Sequence, residues 1–440
     1  MPGKCDMPEE RRHEAIMMEV IADLHIHSRY AMACSGRITL QGMEATALGK
    51  GISLISTGDF THPEWLSEIK KTLEPCGDAG LFKIRGSESK LRFVLGSEVS
   101  TIFTGKDNTS KKIHNCVLMP SIESVEALNA ELSRFGSLSS DGRPALSMSA
   151  AELVEKVFNA DRNAFVFPAH AWTPYFGVFG SFSGFDSMKD AYQDQEKHIR
   201  ALETGLSSDP IMNWRVSALD KYALISNSDM HSLEKMGREA NVLEIKENEM
   251  TYDSIIKAIT EKDAHGFKQT IEFYPEEGKY HYDGHRQCNF SVNPDTNKLT
   301  KCPVCGKRLV IGVLHRVNDL ADRPVGYRPK GAVPYVHMVP LREVIAYVLK
   351  KTTYSPVVTA MYDGLVSALG SEFNILGTAD LDRITELSND MVSTAIHNIR
   401  EDKINITPGY DGVFGKLNLI ESGSKLTETV KKQKSILEFK

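Results

Sequence analysis

Short apolar runs alternate with helical patterns along roughly the first 270 residues. The runs fall at residues 19–22, 52–56, 92–95, 115–119, 164–167, 201–203 and 222–226, each three to five residues long. Between them, segments at 40–48, 122–134 and 149–157 carry apolar residues at the three- and four-residue spacing of a helix face. The last of these opens with Ser149-x-x-Glu152, a capping box. Strand alternating with helix predicts a mainly parallel sheet or barrel, and seven runs make barrel-like closure the expected arrangement.

The pattern then changes. Residues 177–184 hold Gly177, Gly180 and Gly184, and with Trp172, Tyr175 and Phe176 they read as an aromatic-rich loop. Near 273–285, Tyr, His, Gly and charge replace apolar periodicity, and a compact cysteine-bearing segment follows. Helical patterns return at 341–351, 357–369 and 381–400. The expected organisation is an α/β unit over 1–272, a small metal-binding segment over 273–312, a mostly helical unit over 313–430 and a short tail over 431–440.

Composition narrows the setting. With 41% hydrophobic and 25% charged residues the chain of 440 residues can bury a sizeable core. Residues 1–19 lack an apolar stretch and no run approaches the ~20 apolar residues of a membrane helix, so a cytoplasmic setting is expected. Four of the seven cysteines are scattered over the first 116 residues, which is no disulfide framework. Net charge is −6, yet residues 301–351 hold ten basic against three acidic side chains, a stretch able to neutralise phosphates. A merely solvated basic surface would read the same way.

The candidate chemistry lies just after the apolar runs. Asp23-Leu-His25-Ile-His27-Ser28 puts two imidazoles on one face of a strand, within reach of one ion. Asp59 and His62 follow the second run and Glu98 the third, His114 opens the fourth, His170 ends the fifth, and Asp229 and His231 close the seventh. In a parallel α/β sheet such groups gather at the carboxyl ends of the strands. Nine imidazole and carboxylate groups suit two or three divalent ions such as Zn, Mn, Mg or Fe, with Glu98 placed to bridge. Clustered cations polarise a phosphoryl oxygen, lower the pKa of water and stabilise a leaving oxygen, so phosphate-ester hydrolysis is the expected reaction. Asp229, Glu98, His25 and His27 are expected to carry it. Glu203 reads equally as a carboxylate supporting a ligand or as a structural one.

A second constellation sits at His285-x2-Cys288 and Cys302-x2-Cys305, four ligands for a closed structural zinc site, with His281 as the competing fourth ligand.

These motifs resemble known families. Asp23-Leu-His25-Ile-His27-Ser28, Glu98, His114, His170 and Ser228-Asp229-Met-His231 resemble the polymerase-and-histidinol-phosphatase superfamily. That resemblance implies a distorted (β/α)7 barrel with a trinuclear metal site held by the nine groups. The usual second motif has adjacent Asp and His, whereas Asp59 and His62 here are three apart. His281-Tyr-Asp-Gly-His285-Arg-Gln-Cys288, Cys302-Pro-Val-Cys305-Gly-Lys307 and the block from Ile311 to Arg323 are similar to the endonuclease Q family. That resemblance implies a DNA repair endonuclease cutting 5′ to deaminated bases (hypoxanthine, uracil, xanthine) or abasic sites. Trp172, Tyr175, Phe176, Arg316 and Arg323 are then the expected DNA contacts. Gln433, Ile436 and Phe439 match a sliding-clamp docking pattern. The competing readings are a small-molecule phosphatase, which leaves 270–440 without a role, and a DNA-binding scaffold, which the full ligand set disfavours.

Overall fold

The computed structural model describes residues 16–262 and 266–420. Each of the seven apolar runs lies on a strand: β1 (Met17–Asp23), β2 (Leu54–Ser56), β3 (Arg92–Thr104), β4 (Ser110–Met119), β5 (Phe165–Pro168), β6 (Ala201–Glu203) and β7 (Ala223–Ile225). Three further strands are β8 (Ala240–Lys246), β9 (Phe267–Glu272) and β10 (Tyr335–His337). The fold is mixed α/β, with a large central sheet and a helical C-terminal part.

The sheet is less parallel than the pattern predicts. Strands β1, β2 and β3 run parallel, but β4 is antiparallel to both β3 and β5. The cause is local. Strands β3 and β4 extend past their apolar halves into a hairpin, in register from Leu95↔Met119 to Thr104↔Ser110. On the other side of β1, β8 pairs antiparallel, β9 antiparallel to β8, and β10 parallel to β9. Strands β6 and β7 form a separate parallel pair. The Ala171 N–H reaches the Glu203 carbonyl from the end of β5, and Leu24 N–H reaches the Asn227 side chain beyond β7.

Helix termini follow their chemistry. The helix Ala150–Ala160 carries the expected reciprocal capping box between Ser149 and Glu152. The segment expected to be one helix over 381–400 is two, Leu381–Leu387 and Asp390–Arg400. Asn389 ends the continuity, because its side chain accepts from the N–H groups of Met391 and Val392 and starts a new helix.

The C-terminal helices are not a detached unit. One apolar cluster runs from Ile26 and Phe93 in the sheet region to Val344, Leu365 and Val392. Lys50 Nζ lies 2.9 Å from Glu372 Oε2, both buried, and Glu372 also accepts from the Tyr362 hydroxyl and the Leu341 N–H. Among the described residues no helix is long and apolar enough to cross a membrane.

A second tie is ionic. His337 stacks on Tyr274 at 4.4 Å and lies 3.3 Å from Asp209 and 3.9 Å from Asp402. The contacts act through charge rather than aligned hydrogen bonds, since neither ring nitrogen has a hydrogen-bond partner. Burial disfavours the imidazolium, but Asp209, Asp402 and Glu276 outweigh it and raise the pKa from 6.5 to about 9. A histidine whose folded pKa is raised gives stability that is complete below the unfolded value and lost as pH rises through the folded one. Thermal melts from about pH 6 to about pH 10 should therefore show Tm falling between about pH 6.5 and about pH 9 and levelling above, and His337→Gln should remove much of that fall. An unchanged pH profile in the variant would contradict this.

Candidate metal centre

The site is assembled where the segment after β1 passes the segment after β7. Residue Ile26 bridges Met230 in parallel, the Asp229 N–H donates to the His25 carbonyl at 2.9 Å and the His27 N–H to the Met230 carbonyl at 3.2 Å. The two motifs farthest apart in sequence are thus zipped together. Asp59, His170 and Asp229 adopt positive φ (47°, 31° and 45°), a region that costs a non-glycine residue about 1–3 kcal/mol. At each point the chain turns sharply off a strand end and aims a side chain inward. The backbone at His170 is closely approached: a Cβ on Gly205 (φ 64°) would lie 2.6 Å from the His170 Cβ.

Two ligand groups result, His25–His27–Asp229 and Glu98–His114–His170, each with ligand atoms within 4.8 Å of one another. Glu98 joins them. Its Oε2 lies 3.3 Å from His27 Nε2 and 3.7 Å from His25 Nε2, and its Oε1 lies 2.7 Å from His114 Nδ1 and 3.1 Å from His170 Nε2. Burial would raise the Glu98 carboxyl, yet His114, His25 and Arg143 hold it well below its ordinary range. Asp229, partly buried, is lowered by His27, His25 and His231.

A row of supporting groups orients the imidazoles. The Glu203 carboxylate sits 3.0 Å from His25 Nδ1 and accepts from Asn227 Nδ2 and the His170 N–H. Thr173 Oγ1 meets His170 Nδ1 at 2.8 Å. Carboxylates behind metal-binding imidazoles are the usual means of fixing ring and tautomer. The front nitrogens, His25 Nε2 and His27 Nε2, and Asp229 Oδ1 are buried with no hydrogen-bond partner. Buried polar atoms facing one another across 3.1–3.7 Å without hydrogen-bond geometry, converging from imidazole and carboxylate, are the donor set divalent cations take.

Not all nine residues converge. Asp59 stands behind the cluster, with Oδ1 2.9 Å from His27 Nδ1 and Oδ2 accepting from the Ser28 N–H at 2.6 Å. Both its oxygens are engaged in orienting His27 and its loop. His62 stacks on Tyr30 at 4.4 Å, its Nδ1 buried without a partner. His231 lies beside the cluster, ring to ring 4.9 Å from His27, with Nδ1 on the Asp229 carbonyl.

The sulfur site forms separately. His285, Cys288, Cys302 and Cys305 bring their ligand atoms within 4.8 Å, Cys305 Sγ lying 3.5 Å from His285 Nδ1. A tight turn carries the two later thiols: the Gly306 N–H bonds the Cys302 carbonyl, with Gly306 at φ 73°. His281 is elsewhere, buried beside Tyr282. Four such ligands could hold zinc with no open position.

The expected DNA contacts divide. Trp172 is 1% exposed, packed on Phe179 with its Nε1–H bonded to Asn213, so it belongs to the core and presents no face to a ligand. Tyr175 (45% exposed) stacks at 4.6 Å and 7° on Phe182 (51% exposed), a residue with no motif to mark it in the sequence. Phe176 packs 4.3 Å from the His114 ring. Arg316 is spent on the Phe179 and Phe185 carbonyls and Asp186, and Arg323 on the Trp214 carbonyl and Asp220. These arginines brace the aromatic loop and the strand-end connections. Gln433, Ile436 and Phe439 lie outside the described residues.

Comparisons with known proteins agree in direction. A family model described as the MJ0043 C-terminal domain matches residues 340–403. The uncharacterized protein MJ0043 of Methanocaldococcus jannaschii is 30% identical over 57% of this chain; the chain spans 31% of that relative's length. The crystal structure of the lesion-specific endonuclease PfuEndoQ from Pyrococcus furiosus matches with TM-score 0.80 and 32% identity, over 91% of this chain and 96% of that one. A complex of Endonuclease Q with a 27-mer duplex substrate, an abasic lesion at its active site, also matches with TM-score 0.80 and 32% identity. It covers 93% of this chain and 100% of that one.

Removing the support behind His27 tests the geometry. Asp59→Asn should leave the fold intact and weaken metal affinity about 10–100-fold, measured by competition with a chelating dye. Wild-type affinity in that variant would show that Asp59 does not hold the ligand ring.

Proposed function

This chain belongs to the endonuclease Q family, and from that premise we propose that it is a metal-dependent DNA repair endonuclease. It hydrolyses the phosphodiester on the 5′ side of deaminated bases (hypoxanthine, uracil, xanthine) or abasic sites and leaves a 3′-hydroxyl. The observation that carries this reading is Glu98, set with its two oxygens toward separate imidazole groups, with the front nitrogens of His25 and His27 buried and without a hydrogen-bond partner. The relative solved with an abasic duplex at its active site supports the choice of substrate.

His25, His27 and Asp229 would hold one divalent cation and His114 and His170 another, with Glu98 shared; His231 stands nearest for a third. When bound, such cations (Zn, Mn, Mg or Fe) polarise a phosphoryl oxygen, activate water and neutralise the leaving oxygen. The chain's own part is to keep the donors aligned. Glu203 and Asp59 fix the rings of His25 and His27, and Thr173 fixes His170. The exposed Tyr175–Phe182 stack, tied by the Thr173 hydroxyl to the His170 loop, offers a face for a base freed from the duplex. Extrusion is cheapest at a mispaired or missing base, which gives lesion selectivity without reading flanking sequence.

The strands β1 to β7 are read as a distorted (β/α)7 barrel, a reading favoured by the β5–β6 and β1–β7 contacts. Residues 1–272 serve as the phosphoesterase unit, 273–312 as a zinc-held knuckle and 313–430 as the DNA-engaging unit. The tail with Gln433, Ile436 and Phe439 would recruit a sliding clamp, and the setting is the cytoplasm with its DNA.

End-labelled duplex carrying one deoxyinosine, deoxyuridine or abasic site, incubated with Mg²⁺, Mn²⁺ or Zn²⁺, should give one nick 5′ to the lesion and none in undamaged control. Asp229→Ala should lower the cutting rate by about 1000-fold or more with DNA binding retained. Phosphate release from small esters with no nick under any metal would contradict the proposal.

A further inference from the structure

A guanidinium stands inside the candidate site, from a loop that carries none of the metal-ligand motifs. Arg143 Nη1 lies 3.2 Å from Glu98 Oε2, and its side chain is 20% exposed. Among the described residues its side chain bonds only through Nη1, so Nε and Nη2 remain open. Burial works against the charge, but Glu98, Asp229 and Asp141 outweigh it and keep the group a firm cation.

The backbone delivers this side chain rigidly. The Gly142 N–H bonds the Tyr30 carbonyl, the Gly142 carbonyl accepts from Thr61 Oγ1, and the Pro144 carbonyl accepts from the Ser100 N–H. Asp141 Oδ1 takes the N–H groups of both Met32 and Arg143. Only glycine fits at the apex: a Cβ on Gly142 would fall 2.4 Å from Asp59 Oδ2 and 2.9 Å from the Ala31 nitrogen. The loop carrying Arg143 is thus pressed against the carboxylate that orients His27.

Balancing the charge of Glu98 does not account for this placement. Four imidazoles already surround that carboxylate, and cations in the two ligand groups would share it. A planar cation with a free side-on pair of donors matches two oxygens of a phosphate, a geometry lysine cannot supply. We propose that Arg143 binds the nonbridging oxygens of the scissile phosphodiester through Nε and Nη2, an assignment that rests on the endonuclease reading. Water oxygen bonds to phosphorus, the bond from phosphorus to the 3′ oxygen breaks, and that oxygen leaves with a proton as a hydroxyl. Arg143 neutralises the charge that gathers on the nonbridging oxygens during this exchange.

The test compares the metal-loaded wild type with Arg143→Ala and Arg143→Lys on an abasic duplex, with metal content by mass spectrometry and Tm alongside. Arg143→Ala should lose about 100-fold or more in kcat, with metal content and Tm unchanged. Arg143→Lys should recover only part of the loss, and added methylguanidinium should raise the activity of Arg143→Ala but not of Arg143→Lys. The proposal is overturned if the wild type nicks and Arg143→Ala stays within about threefold of it. It is equally overturned if the loss accompanies lost metal, which would make Arg143 a support for the ligands. A wild type that cuts no DNA overturns the endonuclease reading first, a result distinguishable from either.

Discussion

Glu98 is a buried carboxylate with a histidine on nearly every side, and the rest of the site is arranged around keeping it ionised there. An isolated buried charge costs several kcal/mol, so its oxygens must be matched. The match comes from segments that are remote in sequence: the stretch just after β1 supplies His25 and His27, β4 supplies His114, and the turn after β5 supplies His170. Each must arrive at a fixed angle, which is why backbone strain gathers at Asp59, His170 and Asp229. The supporting acids Glu203 and Asp59 serve the same end from behind.

The C-terminal part contributes rigidity to this arrangement. Arg316, from the helix Val313–Leu320, caps two carbonyls of the aromatic loop, and Ser181 of that loop donates to the Ile311 carbonyl beside the cysteine segment. The loop that presents Tyr175 and Phe182 is thereby held from both sides. Lys50–Glu372 and His337–Asp402 secure the helices to the sheet region by charge as well as by apolar packing. Arginines expected to face DNA act instead as internal struts.

How much of this is legible in the sequence depends on whether the signal is local. The seven apolar runs find their strands, and the Ser149–Glu152 box finds its helix start, because both are set by neighbours in the chain. The spacing His25-x-His27 encodes a shared face, and the structure does bring the pair together with Asp229. The separation of Asp59 from His62 already departs from a paired motif, and the two side chains go to different places. Trp172 could not be told from an exposed aromatic, since its burial is fixed by Asn213 and Phe179, the former 41 residues away. Arg143 gave no signal at all: its role depends on Gly142 fitting against Asp59, a contact between distant segments. The antiparallel course of β4 was likewise hidden, because hairpin direction was not encoded in the apolar halves of β3 and β4.

Glu98 is proposed to be shared by two cation sites. Anomalous diffraction from crystals grown with Mn²⁺ or Zn²⁺ tests it most directly. At least two peaks in contact with Glu98 are expected, one also contacting His25, His27 and Asp229 and the other His114 and His170. Metal bound only at the cysteine site, or a single peak that does not touch Glu98, would contradict it.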